Sequence, residues 1–116
     1  MKLTQQQKSF FDVFGFLNFP GLLSDRIDRI TEEFEILWAE HGGGHYGKLH
    51  DFKQRSSIVP FIDQNEYLSS LIDDPRIVGI ASSVLGEDFD YGTSDGNFYV
   101  GDTDWHSDWR WPEELG

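Results

Sequence analysis

Two residues late in the sequence carry its most specific chemistry. His106 and Asp108 stand two positions apart within Asp102-Thr103-Asp104-Trp105-His106-Ser107-Asp108-Trp109. Side chains of a strand alternate between faces, so a strand here sends the imidazole and the carboxylate to one side. Trp105, Ser107 and Trp109 then point the other way. An imidazole nitrogen beside a carboxylate oxygen makes two adjacent corners of a metal site. A second histidine would complete the 2-His-1-carboxylate facial triad of non-haem Fe(II) oxygenases, whose opposite face stays open for chemistry. The spacing alone discriminates weakly. Four His and thirteen Asp in 116 residues give about 0.4 to 0.5 His-x-Asp matches by chance. A surface ion pair on a half-exposed strand fits the same pattern.

Two other constellations compete. His41, His45 and His50 flank the glycine run Gly42-Gly43-Gly44, and the His-x3-His spacing suits zinc. Structural zinc sites take four ligands, and no cysteine is present to add to them, so the bland reading is loop histidines. The same His-Gly-Gly-Gly run resembles the oxyanion loop of some lipases, and Gly92-Thr93-Ser94-Asp95-Gly96 matches G-x-S-x-G. That nucleophile elbow needs a helix straight after the serine. Asn97-Phe98-Tyr99-Val100 instead reads as a strand, which makes the glycines a turn between strands. An esterase fragment is the weakest of the readings.

The elements that must position these residues are legible as helices first and strands afterwards. Thr4-Gln5-Gln6-Gln7 has the capping-box pattern ahead of Phe10, Phe11, Val13 and Phe14, with Gly15 as the stop. Phe16 to Phe19 reads as a short strand ended by Pro20-Gly21. Ser24 suits the N-cap of a second helix, on which Ile27, Ile30, Phe34 and Leu37 recur at helical spacing. Residues 41–57 form a loop. Ser57 to Ile62 is at best an edge strand because of Pro60. A helix near Asn65 to Ile72 buries Leu68, Leu71 and Ile72. Asp74 then caps another, with Pro75 at its first position, Ile77, Ile80, Ala81, Val84 and Leu85 on its apolar face, and Gly86 at its end. Strands follow at Phe89–Tyr91, Phe98–Val100 and Trp105–Trp109. Asn97 and Tyr99 share a face of the middle strand and are candidates to line a cofactor pocket.

Composition narrows the partners. The net charge of −12 disfavours nucleic acid and anionic membrane surfaces, which reward Lys and Arg. Eighteen aromatic residues (ten Phe, four Trp, four Tyr) argue for a folded core. The N-terminus is too polar for a signal peptide, and no apolar run approaches a membrane span. A cytoplasmic protein acting on a small molecule is the expectation. No repeat or linker divides residues 1–116, so they read as one domain or part of one.

The order of these elements resembles the phytanoyl-CoA dioxygenase family of Fe(II)/2-oxoglutarate oxygenases. Gly15-Phe16-Leu17-Asn18-Phe19-Pro20-Gly21-Leu22-Leu23-Ser24 is similar to the family's approach to its long helix. Leu71-Ile72-Asp73-Asp74-Pro75-Arg76-Ile77 through Leu85-Gly86 is similar to the helix before its core strands. Gly101-Asp102-Thr103-Asp104-Trp105-His106-Ser107-Asp108 is similar to its iron-binding strand, and this is the most specific match.

The resemblance implies an α+β chain with N-terminal helices packed outside the first strands of a double-stranded β-helix, or jelly roll. It implies His106 and Asp108 as iron ligands. It implies Fe(II) and 2-oxoglutarate as cofactor and cosubstrate, and coupling of oxidative decarboxylation to hydroxylation of a small organic substrate. The family's second iron histidine and its carboxylate-binding arginine lie well after the His-x-Asp. No histidine follows Asp108 here, and Arg110 is too close to serve as that arginine. A jelly roll also has about eight strands, more than are legible. The expectation is therefore the N-terminal portion of such a domain, inactive alone, self-associating or completed by a C-terminal segment. The alternative is a non-catalytic remnant or binding module of the same fold.

Overall fold

The computed structural model describes residues 1–45 and 48–108. Helix α1 spans Gln5–Phe14. The Thr4 hydroxyl accepts from the Gln7 backbone N–H at 3.1 Å, and the Gln7 side chain accepts from the Thr4 N–H at 2.9 Å. Each closes off a backbone donor that the first helical turn leaves unpaired. Gly15 ends the helix at φ +77°, a conformation that costs glycine little. No residue of α1 is buried. Phe11 is half-buried beside Ser83 and Val84, and in the segment before the helix buried Leu3 donates its N–H to Ser83 Oγ at 3.1 Å.

Residues 16–19 are irregular and not a strand, and residues 20–26 form successive turns. Among the described residues, no strand pairs with 16–19, and a ladder needs a partner. The second helix, α2, spans Ile27–Glu40 and starts after Arg26. Ser24 is not its cap; the Ser24 N–H closes a turn onto the Gly21 carbonyl. Of the expected stripe, Leu37 is buried, Ile30 and Phe34 are half-buried, and Ile27 is exposed.

The glycine-rich loop folds back as a short hairpin, β1 (Gly44–His45) against β2 (Lys48–Leu49). Strand β3 (Ser56–Ile58) follows, then a single 3-10 turn at Ile62–Gln64 and the short helix α3, Glu66–Ser69. Asn65 caps α3 by accepting from the Leu68 N–H at 3.0 Å. Helix α4 is Pro75–Leu85, with Asp74 as N-cap and Gly86 at its end, as its sequence predicts. Strand β4, Gly96–Phe98, pairs antiparallel with β3 in the register Ser56 with Phe98, Ser57 with Asn97 and Ile58 with Gly96.

The core is small. Leu37, Ile58 and Leu68 are buried together, with Ile30, Trp38, Phe61, Ile62, Tyr67 and Leu71 packed around them. Gly96 is required here by contact: a Cβ on it would fall 2.5 Å from the Phe61 ring. An ionic cluster clasps the turns, α3 and α4 together. Asp74 Oδ2 accepts from Arg26 at 3.1 Å and from Arg76 at 2.8 Å. Arg76 reaches on to Asp25 at 2.6 Å and to the Leu22 carbonyl at 2.7 Å. Arg26 also donates to Tyr67 Oη at 3.2 Å and Ser70 Oγ at 2.5 Å. Hydrogen bonds from Arg76 hold the Asp74 carboxyl well below the usual carboxylate range, despite its burial.

The architecture is thus mixed: two helices, three short strands, two further helices, and a last strand, β4, that returns to pair antiparallel with β3. Among the described residues the strands form only two two-stranded sheets, β1 with β2 and β3 with β4. Phe89–Tyr91 is irregular; Tyr91 is fastened by its side chain, its hydroxyl donating to Asp63 Oδ1 at 2.9 Å. Among the described residues, no helix is long and apolar enough to cross a membrane.

Candidate functional site

Gly101, at φ +75°, turns the chain out of β4, and the segment carrying His106 and Asp108 follows. It is not a strand: residues 102–107 have no regular structure and 102–108 are all exposed. Three aspartates in seven residues disfavour a pleated ladder, and no neighbouring strand is present among the described residues. Trp105 is fully exposed. Trp109 and Arg110 lie outside the described residues, so the expected placement of Trp109 does too.

The two side chains nevertheless converge. His106 Nε2 lies 3.3 Å from Asp108 Oδ1. His106 Nδ1 lies 2.7 Å from the Asp104 carbonyl. A carbonyl can only accept, so Nδ1 carries the proton. In the neutral ring that leaves Nε2 unprotonated, 3.3 Å from a carboxylate oxygen, a separation at which a proton on Nε2, as in an ion pair, or a shared cation would offset the repulsion. Anchoring Nδ1–H on a backbone carbonyl is also how metal-binding histidines are commonly oriented. Two ligands about 2.1 Å from one ion and at right angles stand about 3 Å apart, close to the observed separation. An imidazole nitrogen and a carboxylate oxygen at this separation suit two positions around one cation and equally suit a simple ion pair. Among the described residues, no group of three His, Asp or Glu converges to hold a metal.

Beside His106 runs an open groove of about 480 Å³. Lys53 and Arg55 from the approach to β3 line it, as do Asp102 and Asp104 beyond β4. No local sequence pattern marks Lys53 and Arg55; they reach the groove because they precede β3, which pairs with the strand leading to His106.

Asn97 and Tyr99 do not line this groove. Asn97 Oδ1 accepts from Ser57 Oγ at 2.8 Å, tying β3 to β4. Tyr99 lies past the end of β4 and is about half exposed, with the Arg55 guanidinium 5.8 Å from its ring centre. The pair is thus not on one strand face. Structure accounts for Asn97, and Tyr99 touches the groove only through Arg55.

The loop histidines go to separate places. His41 Nδ1 donates to the Leu37 carbonyl at 2.9 Å, finishing α2. His50 Nδ1 is 2.7 Å from Ser56 Oγ, and its ring packs edge-on to Phe52 and Phe98, each with centroids 4.7 Å away. His50 Nε2 is buried without a hydrogen-bond partner among the described residues. The His45 side chain lies outside the described part of the chain. Ser94 is not at a strand-to-helix elbow; its hydroxyl accepts from the Ile62 N–H at 3.0 Å, and β4 follows it.

No family model, curated protein or solved structure matches this chain.

Proposed function

We propose that the chain supplies two of the three iron ligands of an Fe(II)/2-oxoglutarate oxygenase of the phytanoyl-CoA dioxygenase kind, acting on a small organic substrate. One observation carries the reading. The His106 ring is oriented by the Asp104 carbonyl so that Nε2, the metal-binding nitrogen, meets Asp108 Oδ1. The Gly-Asp-Thr-x-Trp-His-x-Asp string around them adds the family resemblance, and a chain of mixed helices with an antiparallel strand pair is compatible with the front of a jelly roll.

In this reading His106 and Asp108 hold Fe(II), which supplies oxidative decarboxylation of 2-oxoglutarate coupled to hydroxylation. The chain's own part is orientation. The Asp104 carbonyl fixes the His106 tautomer, and the turn at Gly101 brings both ligands beside the groove. A third ligand and a cation for the far carboxylate of 2-oxoglutarate come from a complementing segment or a second chain.

Two measurements test this. Co(II), a spectroscopic stand-in for Fe(II), binds the 116-residue chain weakly. His106→Ala and Asp108→Ala each weaken that binding roughly tenfold or more, the loss associated with disturbed metal sites. With Fe(II), ascorbate and 2-oxoglutarate, the chain alone forms no succinate above background. Joined to a family-like C-terminal half it forms succinate, and either substitution abolishes this. A joined protein indifferent to both substitutions sinks the assignment. The second reading, a binding module without catalysis, is favoured by the exposure of both ligands. It is the outcome in which Co(II) fails to bind and the joined protein stays silent.

A further inference from the structure

Charge is distributed unevenly across the groove beside His106. The antiparallel register pairs Ser56 with Phe98, so the segment before β3 and the segment after β4 leave the same end of the ladder. The first contributes cations to the groove, Lys53 and Arg55, and the second contributes carboxylates, Asp102 and Asp104. Cations are scarce in this chain, nine against twenty-one acids. Arg26, Arg29 and Arg76 are already paired with carboxylates of the chain. Among the described residues, neither Lys53 nor Arg55 has a carboxylate within 4.0 Å, and neither Asp102 nor Asp104 has a cation that close. The two sets of charges line one groove without touching.

We infer that this groove binds a small zwitterion, a molecule with both a carboxylate and an ammonium group, such as an amino acid. The carboxylate sits toward Lys53 and Arg55, and the ammonium toward Asp102 and Asp104. A dicarboxylate places one of its charges near like charges, and a diamine does the same with the opposite sign. Only a ligand of both signs satisfies both segments. About 480 Å³ lies within the usual range for small-molecule sites. The lining charges are exposed and screened by salt, so the binding is weak and salt-sensitive. The inference stands on these charges and needs no metal at His106. Together with the iron reading it names the substrate class.

The test uses five-carbon probes that differ only in their charged groups. The full chain, labelled with ¹⁵N and free of metal, is titrated at low ionic strength with L-norvaline, 5-aminovalerate, pentanoate, pentylamine and glutarate. At least one zwitterion shifts amides in both 53–55 and 102–104, with an affinity roughly tenfold or more above pentanoate, pentylamine and glutarate. Lys53→Gln with Arg55→Gln lowers that affinity to the level of pentylamine. Asp102→Asn with Asp104→Asn lowers it to that of pentanoate and improves glutarate. Each variant's amide dispersion reports whether it folds. Glutarate binding tightest, all probes binding alike, or shifts confined to one segment overturns the inference. Because no metal is present, such a failure leaves the iron reading standing. Loss of Co(II) binding would likewise leave this one standing.

Discussion

Asp74 shows what a single side chain does in this molecule. It caps α4 and accepts hydrogen bonds from two arginines, and Arg76 in particular holds its carboxyl below the ordinary range. A carboxylate whose pKa falls on folding stabilises the native state above its unfolded pKa of about 3.9. That contribution is lost as pH falls from there through the lower native value. Asp74→Asn keeps a capping oxygen but removes the charge from between Arg26 and Arg76. Thermal melts at pH 7 should place the variant below the wild type. At pH 3 and lower the gap should narrow. A gap that does not change with pH would assign the effect to packing and not to the charge. Leu68 is the matching apolar case. It is fully buried, so Leu68→Ala should cost about 2–5 kcal/mol in denaturant unfolding, a large share of the stability of a small domain.

At the scale of elements, α1 and α3 differ in what holds them. Helix α3 is only four residues long, too short to form alone. It is fixed from both sides by Leu68 in the core and by Asn65, whose side chain donates to Glu33 Oε2 at 2.6 Å. Helix α1 has no fully buried residue and depends largely on its own ends. Thr4→Ala should therefore destabilise α1 by about 1 kcal/mol without unfolding the core. Amide hydrogen exchange should quicken across residues 5–14 and stay unchanged at Leu37 and Leu68. Equal acceleration in both places would mean that α1 folds as one unit with the rest.

At the scale of the molecule, surface area is the informative quantity. The chain exposes 9160 Å², where a compact monomer of its mass exposes about 6500 Å². The radius of gyration, 16.7 Å, exceeds the roughly 13 Å of a compact domain of this length. Part of the excess is apolar. Phe10, Val13, Phe14 and Phe16 are exposed, and the Phe10 ring packs 4.6 Å from Phe14 and 5.4 Å from Phe16. Exposed aromatic clusters favour association. Sedimentation velocity should show an average mass that rises with concentration, and Phe10→Asp with Phe14→Asp should reduce that rise. A concentration-independent monomer with a sharp, high melt would contradict it.

Local chemistry and long-range pairing divide what could be read from the chain alone. The capping box at Thr4, the stop at Gly15, the Asp74-Pro75 start of α4 and the Leu37 and Leu68 core positions were legible because each depends on neighbours a few residues away. The strands were legible in part: the edge strand expected from Ser57 and the strand expected from Phe98 overlap β3 and β4. Phe16–Phe19, Phe89–Tyr91 and the segment through Asp108 have strand-like spacing or aromatics, but a strand exists only where a second one supplies its hydrogen bonds. Only the tertiary structure decided that β3 takes β4 as its partner, through residues some forty positions apart. The candidate site divides the same way. Two-residue spacing drew attention to His106 and Asp108, and only the surrounding Gly-Asp-Thr-x-Trp-His-x-Asp string made the pair specific. Their approach to 3.3 Å depends on a turn and on the Asp104 carbonyl, not on a pleat. Lys53 and Arg55 beside them were invisible because no local pattern links residue 55 to residue 106. The β3–β4 register does, by bringing both ends of the ladder to one groove.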